Sequence, residues 1–364
     1  MKNLLFLLGI FLIAGCSDSD DDSKLPSDSL ELVFADSVYQ LTGVAVSKSG
    51  RVFTNYPLWS SVYKYALVEV LPDKTVQPYP NAYMNSWNSN ESGMDKWVCV
   101  QAVHIDDADN MWVVDPAAPN MTVVVGNSHK LVQINLATNT VVKTYSFAGI
   151  ADNQSYINDV RVDTMRKFAY LTNSKEGGLV VVNLASGSMR QVLQGHPSVI
   201  SDPDYTLHID GKDVKRNGAP VKINSDGLAL TPNGEYLYYK PLSDDKLYRI
   251  KTEFLRNDNM SSEQLGEMVE DLGHFTTTDG MIFDKKGNLY LGDLEKYRIM
   301  RIKPNNNMEV LVQDSSLIWP DSYQVSDDGY LYISNSQIHR TPDFNEGVNR
   351  RTSPYTILRI KLPE

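Results

Sequence analysis

The sequence predicts an all-β chain folded as a six-bladed β-propeller, whose ring is closed by an N-terminal strand that completes the last blade. Three observations support this prediction. A hairpin pattern recurs six times, further strand-like runs follow the copies, and one strand pattern is left over near the N-terminus. Repeats with these properties are typical of propellers.

The clearest copy of the hairpin occupies residues 225–239, SDGLALTPNGEYLYY. Alternating apolar residues flank an Asn233-Gly234 turn, which is a strong short-range signal for a β-hairpin. The residue that opens the inner strand is found in six copies, at Val44, Val103, Val160, Leu228, Met281 and Tyr323. These positions lie 59, 57, 68, 53 and 42 residues apart, roughly the length of a propeller blade.

Two more strand-like runs follow most hairpins, so that each repeat supplies a four-stranded blade. Blade four departs from this pattern, because residues 261–271 indicate a short helix capped by Ser261 or Ser262. The sixth repeat has only three strands of its own. Residues 30–35, LELVFA, can supply the fourth and leave no open sheet edge.

Residues 1–15 are predicted to be a lipoprotein signal peptide. An apolar run over residues 4–13 is too short to span a bilayer, and Cys16 follows Ala14-Gly15 as in a bacterial lipobox. An ordinary cleaved signal peptide is the alternative. Residues 16–29 are expected to be an acidic tether and residues 30–364 the propeller. This organisation predicts an exported lipoprotein of the outer membrane or cell surface, facing either side, that meets the membrane only through its lipid anchor.

Composition narrows the classes of partner. The formal net charge of −11 disfavours nucleic acid as a partner and suits an exported protein, which we expect to be a monomer.

Cys99 is the only cysteine after Cys16, so the mature chain has no internal disulfide. Because Cys99 lies in an apolar run, we expect a buried, inert thiol.

Connection lengths predict that one face of the propeller carries the functional loops. In a four-stranded meander, the links into the inner strand and those from strand two to strand three share a face. The long segments all belong to these two classes: residues 81–96, 117–129, 195–225 and 337–354. Tight turns occupy the other face, and a rigid scaffold with loops on one face is a common way to carry a site.

Polar residues stand where the inner strands begin at the loop-rich face. They are Thr42, Gln101, Asn158, Asp159, Asp226, Asp279 and Asp321. Five of the six blades thus offer a carboxylate or amide, and converging oxygens suit a hard cation or a cationic or polyhydroxylated ligand. Asp226, Asp279 and Asn158 are the candidate ligands of Ca²⁺ or Mg²⁺. The alternative is that each aspartate only caps a turn.

Other chemical signals are weaker. His104 alternates on an inner strand and can face either the channel or the blade, and His339 lies in a long loop that could act as a lid. The histidines show no metal-ligand spacing, and the sequence contains no nucleophile elbow, Walker loop or dinucleotide fingerprint. Trp59, Trp87, Trp97 and Trp319 lie near the loop-rich face, where they could stack on a flat ligand.

Over the whole mature chain the sequence resembles the major royal jelly and Yellow proteins, especially their bacterial members. The resemblance is carried by VFTNYP at 52–57, NMWVVD at 110–115, INDVRVD at 157–163, GGLVV at 177–181, LYYKPL at 237–242 and WPD at 319–321. It implies a six-bladed propeller. It also implies either binding of biogenic amines or a part in dopachrome and melanin chemistry.

The sequence is more distantly similar to the gluconolactonase and senescence-marker propellers, which bind a divalent cation at the channel mouth. Asp226-Gly227-Leu228 and Asp279-Gly280-Met281 fall where those proteins have ligand Asn-Gly and Asp-Gly pairs, and Asn158 falls near a third polar position. Thr42 stands near the place of their ligand glutamate and is not acidic. This departure argues against metal-dependent lactonase activity.

Three functional hypotheses follow. The leading one is a lipid-anchored propeller that binds a small molecule at the loop-rich mouth of the channel. The second is an enzyme, either a metal-assisted lactone or ester hydrolase or a dopachrome tautomerase of the Yellow type. The third is a protein-interaction scaffold that uses the long loops.

Overall fold

The structure, a computed structural model, describes residues 25–26 and 29–363. The predicted signal peptide, the lipidation site Cys16 and most of the tether lie outside the described residues. Within the described part, no helix has the length and apolar character needed to cross a membrane.

Six four-stranded antiparallel sheets form the blades of a β-propeller, as predicted. The strands of the N-terminal half are β1 (Glu31–Asp36); β2 (Ala45–Val46), β3 (Val52–Asn55), β4 (Leu67–Val70) and β5 (Val76–Pro78) in blade one; β6 (Ala102–Ile105), β7 (Asn110–Asp115), β8 (Lys130–Asn135) and β9 (Thr140–Ser146) in blade two; and β10 (Ile157–Asp163), β11 (Phe168–Asn173), β12 (Leu179–Asn183) and β13 (Met189–Val192) in blade three.

Two small hairpins separate the halves. They are formed by β14 (His208–Ile209) with β15 (Lys212–Asp213), and by β16 (Lys215–Arg216) with β17 (Ala219–Pro220). The remaining strands are β18 (Ser225–Leu230), β19 (Tyr236–Pro241), β20 (Lys246–Lys251) and β21 (Glu270–His274) in blade four; β22 (Met281–Phe283), β23 (Leu289–Asp293), β24 (Arg298–Ile302) and β25 (Met308–Gln313) in blade five; and β26 (Pro320–Val325), β27 (Tyr330–Asn335) and β28 (Tyr355–Lys361) in blade six.

The N-terminal strand closes the ring, which confirms the prediction. β1 pairs antiparallel with β28 and completes blade six in the order β1-β28-β27-β26. Phe34 of β1 is buried against Tyr332, Ile357 and apolar residues of blade one. This strand therefore contributes both backbone pairing and core packing at the point where the two ends of the chain meet.

Blade four is a regular four-stranded blade, and here the sequence prediction was wrong in part. Two short helices, α1 (Thr252–Leu255) and α2 (Ser262–Gly266), lie between its third and fourth strands. Ser261 caps α2 and accepts a hydrogen bond from Gln264 N at 3.2 Å, as the pattern indicated. The helix ends at Gly266 rather than near residue 271, because the following residues pair with β20 as strand β21. Tertiary pairing has overridden the local helical preference.

The core lies between neighbouring blades. One cluster, for example, joins Phe53 and Leu67 of blade one to Val113 and Ile134 of blade two. Cys99 is fully buried, as predicted, and burial raises the pKa of its thiol. Such interfaces hold the inner strands in fixed register around the channel.

Candidate functional site: the loop-rich channel mouth

Three aspartates meet where the inner strands begin. Asp226 lies in β18, Asp279 just precedes β22, and Asp321 lies in β26, so they come from three consecutive blades. Their exposed fractions are only 4%, 7% and 5%. In blades four and six the inner strand is bulged at this point, since Ser225 and Leu228, like Pro320 and Tyr323, flank a shift in register. Bulges commonly redirect side chains next to functional sites.

The glycines that follow two of these aspartates are explained by the packing of the inner strands. A Cβ on Gly227 would lie 2.0 Å from the backbone oxygen of Asp279, and one on Gly280 would lie 2.4 Å from that of Asp321. Gly280 N also donates to Asp321 O at 2.8 Å. The Asp-Gly pairs therefore let adjacent inner strands approach closely.

The aspartates do not cap turns. Within the part of the chain that the structure describes, their carboxylates accept hydrogen bonds from side chains and from no backbone N–H. Asn158 Nδ2 donates to Asp226 Oδ1 at 2.6 Å, and Trp319 Nε1 donates to Asp279 Oδ2 at 2.6 Å. Ser322 Oγ donates to Asp321 Oδ1 at 3.2 Å. This geometry argues against the alternative that each aspartate only caps a turn.

Burial and the charges of neighbouring carboxylates raise the pKa values of these three aspartates. Burial is the largest cause for all three, and the charge of Asp279 adds to it for Asp226 and Asp321. Burial raises the pKa of Asp279 to about 7, although its hydrogen bond from Trp319 acts in the opposite direction. Asp226 and Asp279 act on each other electrostatically, so the two carboxylates titrate as a coupled pair.

No cation neutralises this cluster among the described residues. None of the three aspartates forms an ion pair there. The buried Lys240 is close enough to act on Asp226 and Asp279 electrostatically, and burial lowers its pKa to about 8. Its Nζ nevertheless donates to the backbone oxygens of Pro241 at 2.7 Å and Asp244 at 2.6 Å.

The donor chemistry of the mouth fits a hard cation in part. Asn158 Oδ1 and Asp321 Oδ2 are buried oxygens without a hydrogen-bond partner in the described structure, and such oxygens are the ligands that Ca²⁺ and Mg²⁺ prefer. However, no three acidic, histidine or cysteine side chains in the described ranges are grouped closely enough to hold a metal. Thr42 contributes no charge either, because its hydroxyl donates to Gln101 O at 3.1 Å.

The other predicted residues occupy different levels of the channel. Gln101 belongs to the mouth, where its Oε1 accepts from Tyr156 OH at 2.8 Å. Asp159 interacts electrostatically with all three mouth aspartates and with Arg161. His104 does face the channel, but it lines a cavity at the short-turn end. It is therefore not grouped with the carboxylates.

Two long segments at the loop-rich face contact each other beside the carboxylates, through residues that sequence reasoning had only partly identified. Trp319 stacks on His339 with ring centroids 5.6 Å apart. Asp210, in the turn between β14 and β15, accepts from His339 Nε2 and from Arg340 Nε, both at 3.2 Å. Asn345 Oδ1 accepts from Lys212 Nζ at 2.7 Å. The insertion of blade four thus contacts the long loop of blade six above the carboxylates.

Several functional candidates were missed in the sequence. Tyr156 is buried beside the mouth and accepts from Trp59 Nε1 at 2.9 Å. Asp210 lies in the long segment 195–225, where the sequence shows no clear helix or strand pattern. Arg161 appears in the sequence only as an ordinary strand residue. Trp319, by contrast, had a usable signal, because the WPD pattern places an aromatic side chain directly before an inner strand.

Comparison with known proteins identifies the family. A family model described as "Major royal jelly protein" matches residues 98–362. Major royal jelly protein 7 of Apis mellifera is 25% identical over 245 residues, which cover 62% of this chain and 52% of that protein. Major royal jelly protein 1 of the same species is 26% identical over 233 residues, covering 60% and 50%. The chain therefore spans about half the length of these curated relatives.

Solved propellers share the fold at low sequence identity. A luciferin-regenerating enzyme aligns with TM-score 0.55 and 10% identity over 92% of this chain and 95% of that one. A gluconolactonase from Xanthomonas campestris gives 0.54 and 10% over 92% and 89%. Regucalcin from Agrobacterium tumefaciens, described as a calcium-binding protein, gives 0.51 and 11% over 93% and 95%.

Proposed function

We propose the following function for this chain, which belongs to the major royal jelly protein family. Its channel mouth binds a small organic cation, an aromatic amine, whose ammonium group lies among Asp226, Asp279 and Asp321. The observation that carries this proposal is a set of three buried carboxylates without an ion-pair partner among the described residues. A cation at this place would favour their ionised forms and remove the mutual repulsion.

Aromatic side chains supply the rest of the ligand's surroundings. Trp319 lies directly beside Asp279, and Tyr156 lies at the Gln101 side of the mouth. Aromatic faces attract cations and stack on rings. Because the carboxylates are almost fully buried, the ligand reaches them only when the stack of Trp319 and His339 moves aside.

Calorimetry tests this proposal. Phenethylamine should bind the native protein, and Asp279→Asn and Asp226→Asn should each weaken it at least tenfold, because each removes a charge that faces the ammonium group. Asp284→Asn, at the opposite end of the channel, is the matched control and should bind as the native protein does. Failure of the native protein to bind phenethylamine, or equal binding by the mouth variants, would exclude the amine site.

A divalent cation is the second candidate occupant, favoured by the unpartnered oxygens of Asn158 and Asp321. These two oxygens would contribute to holding it, with Asp226 or Asp279 as a further candidate ligand, and the cation would polarise the carbonyl of a lactone or ester. Titration with CaCl₂ separates the two candidates. Saturable binding of Ca²⁺ that is lost in both aspartate variants supports the metal, whereas loss of amine binding without any response to Ca²⁺ supports the amine.

Membrane tethering through Cys16 is proposed independently, from the lipobox-like sequence that ends at this residue. Cys16→Ala should move the protein from the membrane fraction to the soluble exported fraction. A Cys99→Ala variant controls for general effects of losing a thiol. Unchanged membrane fractionation of Cys16→Ala would reject the tether.

A further inference from the structure

The channel also opens at the short-turn face, where it forms a cavity of about 610 Å³. This is well within the usual size of small-molecule pockets. Three long polar side chains lie at one level of the inner strands and line this cavity: His104, Arg161 and Gln324. The hairpin register places the smaller or apolar residues Ala45, Ala229 and Ile282 at the same level in the other blades.

Arg161 crosses the channel. Its Nη1 donates to Val160 O at 2.6 Å, and its Nη2 donates to Met281 O at 2.6 Å, two blades away. The small side chain of Ala229 in the blade between them leaves room for this crossing. Only 8% of Arg161 is exposed, and its Nε has no hydrogen-bond partner in the described structure. A buried guanidinium with an unused donor therefore borders the cavity.

Three acidic side chains on the wall of the cavity are already engaged in hydrogen bonds. Asp106 accepts from Trp112 Nε1 at 2.7 Å, and Asp163 accepts from Arg166 Nη1 at 2.9 Å. Asp284 accepts from Asn288 Nδ2 at 2.7 Å.

The charges at the rim are of both signs. Asp327 pairs with Lys285 at 2.7 Å, and Asp107 also acts on that lysine electrostatically. Lys48 and Lys286 add positive charge at the opening. With these aspartates engaged, the guanidinium of Arg161 at the inner end of the cavity is bonded to backbone oxygens, and its buried Nε has no partner in the described structure.

We propose that this cavity is a second binding site, separate from the loop-rich mouth, for a small organic acid. The ligand enters from the short-turn face, and its carboxylate binds the guanidinium of Arg161. Guanidinium groups are well suited to recognising carboxylates. His104 lines the same end of the cavity and stays neutral, because burial and the charge of Arg161 lower its pKa well below the usual value. The apolar body of the ligand then lies along Val162, Ile282 and Phe283.

The two ends of the channel are thus proposed to bind ligands of opposite charge, a cation at the loop-rich mouth and an anion at the short-turn end. A matched pair of probes tests this. Benzoate should bind the native protein, whereas its neutral analogue benzamide should bind at least tenfold more weakly. Arg161→Met keeps the length of the side chain and removes its charge, so it should weaken benzoate at least tenfold. Asp279→Asn, at the other end, should leave benzoate binding within twofold of the native value.

A second variant keeps the proposal testable if Arg161→Met does not fold. Gln324→Glu is nearly isosteric and places a negative charge at the same end of the cavity, so it should also reduce benzoate binding at least tenfold. Unchanged benzoate affinity in either folded variant would overturn the site. So would equal binding of benzamide, or no saturable benzoate binding by the native protein.

Discussion

At the short-turn end of the channel, the carboxylates of Asp106, Asp163 and Asp284 accept hydrogen bonds from backbone N–H groups of their own turns. At the loop-rich end, Asp226 and Asp279 accept bonds from side chains only, and burial raises their pKa values. The residue types are the same, but their partners differ. A carboxylate saturated by its own turn is structural, whereas one buried without such donors retains capacity for a ligand.

The largest expected effect is a difference in stability between glycine substitutions at the two ends of the channel. Gly227→Ala should destabilise the protein by about 3 kcal/mol or more, because the new Cβ would meet the backbone of the next inner strand. Gly50→Ala, in a turn with open space and φ of +82°, should cost only about 1–2 kcal/mol. Denaturant unfolding of both variants measures the difference. Equal costs would show that the inner strands do not constrain position 227.

The pH dependence of stability should come from the loop-rich end. The pKa of Asp279 is near 7 in the folded protein and about 4 in the unfolded chain, so the folded state binds more protons between these values. Stability from this group is therefore complete below about pH 4 and is lost as the pH rises through 7. Between pH 5 and pH 8 the contribution of Asp279 alone to the free energy of unfolding should fall by about 2–3 kcal/mol.

Asp279→Asn provides the control for this dependence, because it removes the titrating group and keeps an acceptor for Trp319 Nε1. Its free energy of unfolding should fall less steeply between pH 5 and pH 8 than that of the native protein, although Asp226 and Asp321, whose pKa values are also raised, still contribute. A native-like slope in this variant would mean that the proton is taken up elsewhere.

A smaller difference in stability is expected between Asp→Asn substitutions at the two ends of the channel. Asp284→Asn places an amide N–H beside Asn288 Nδ2 or Tyr290 OH, which now donate to the carboxylate at 2.7 and 3.0 Å, and should cost about 1–2 kcal/mol. Asp279→Asn should be neutral or stabilising at pH 8, where it relieves charge repulsion. Thermal unfolding of the pair at pH 8 checks this, and a greater loss in Asp279→Asn would reverse the assignment of the two ends.

Local patterns were sufficient to predict the propeller, the closure by residues 30–35 and the rim position of Asp226, Asp279 and Asp321. Hairpin alternation and turn chemistry are short-range signals, and the fixed order of strands in a blade converts them into a common face. The same reasoning failed at residues 267–271, where pairing with β20 outweighed helical preference.

Only the packed ring shows which aspartates receive no hydrogen bond from a backbone N–H group of their own turn. Asp284 and Asp279 look alike in the sequence, since each lies at one end of the same inner strand. Their roles differ because Asp284 bonds atoms within six residues, whereas Asp279 meets Trp319, 40 residues away, and Asp226 of the preceding blade. Arg161 is a further case, because its bond to Met281 spans 120 residues and two blades. Such contacts depend on how blades face one another across the channel, and that is a property of the closed ring rather than of any local pattern.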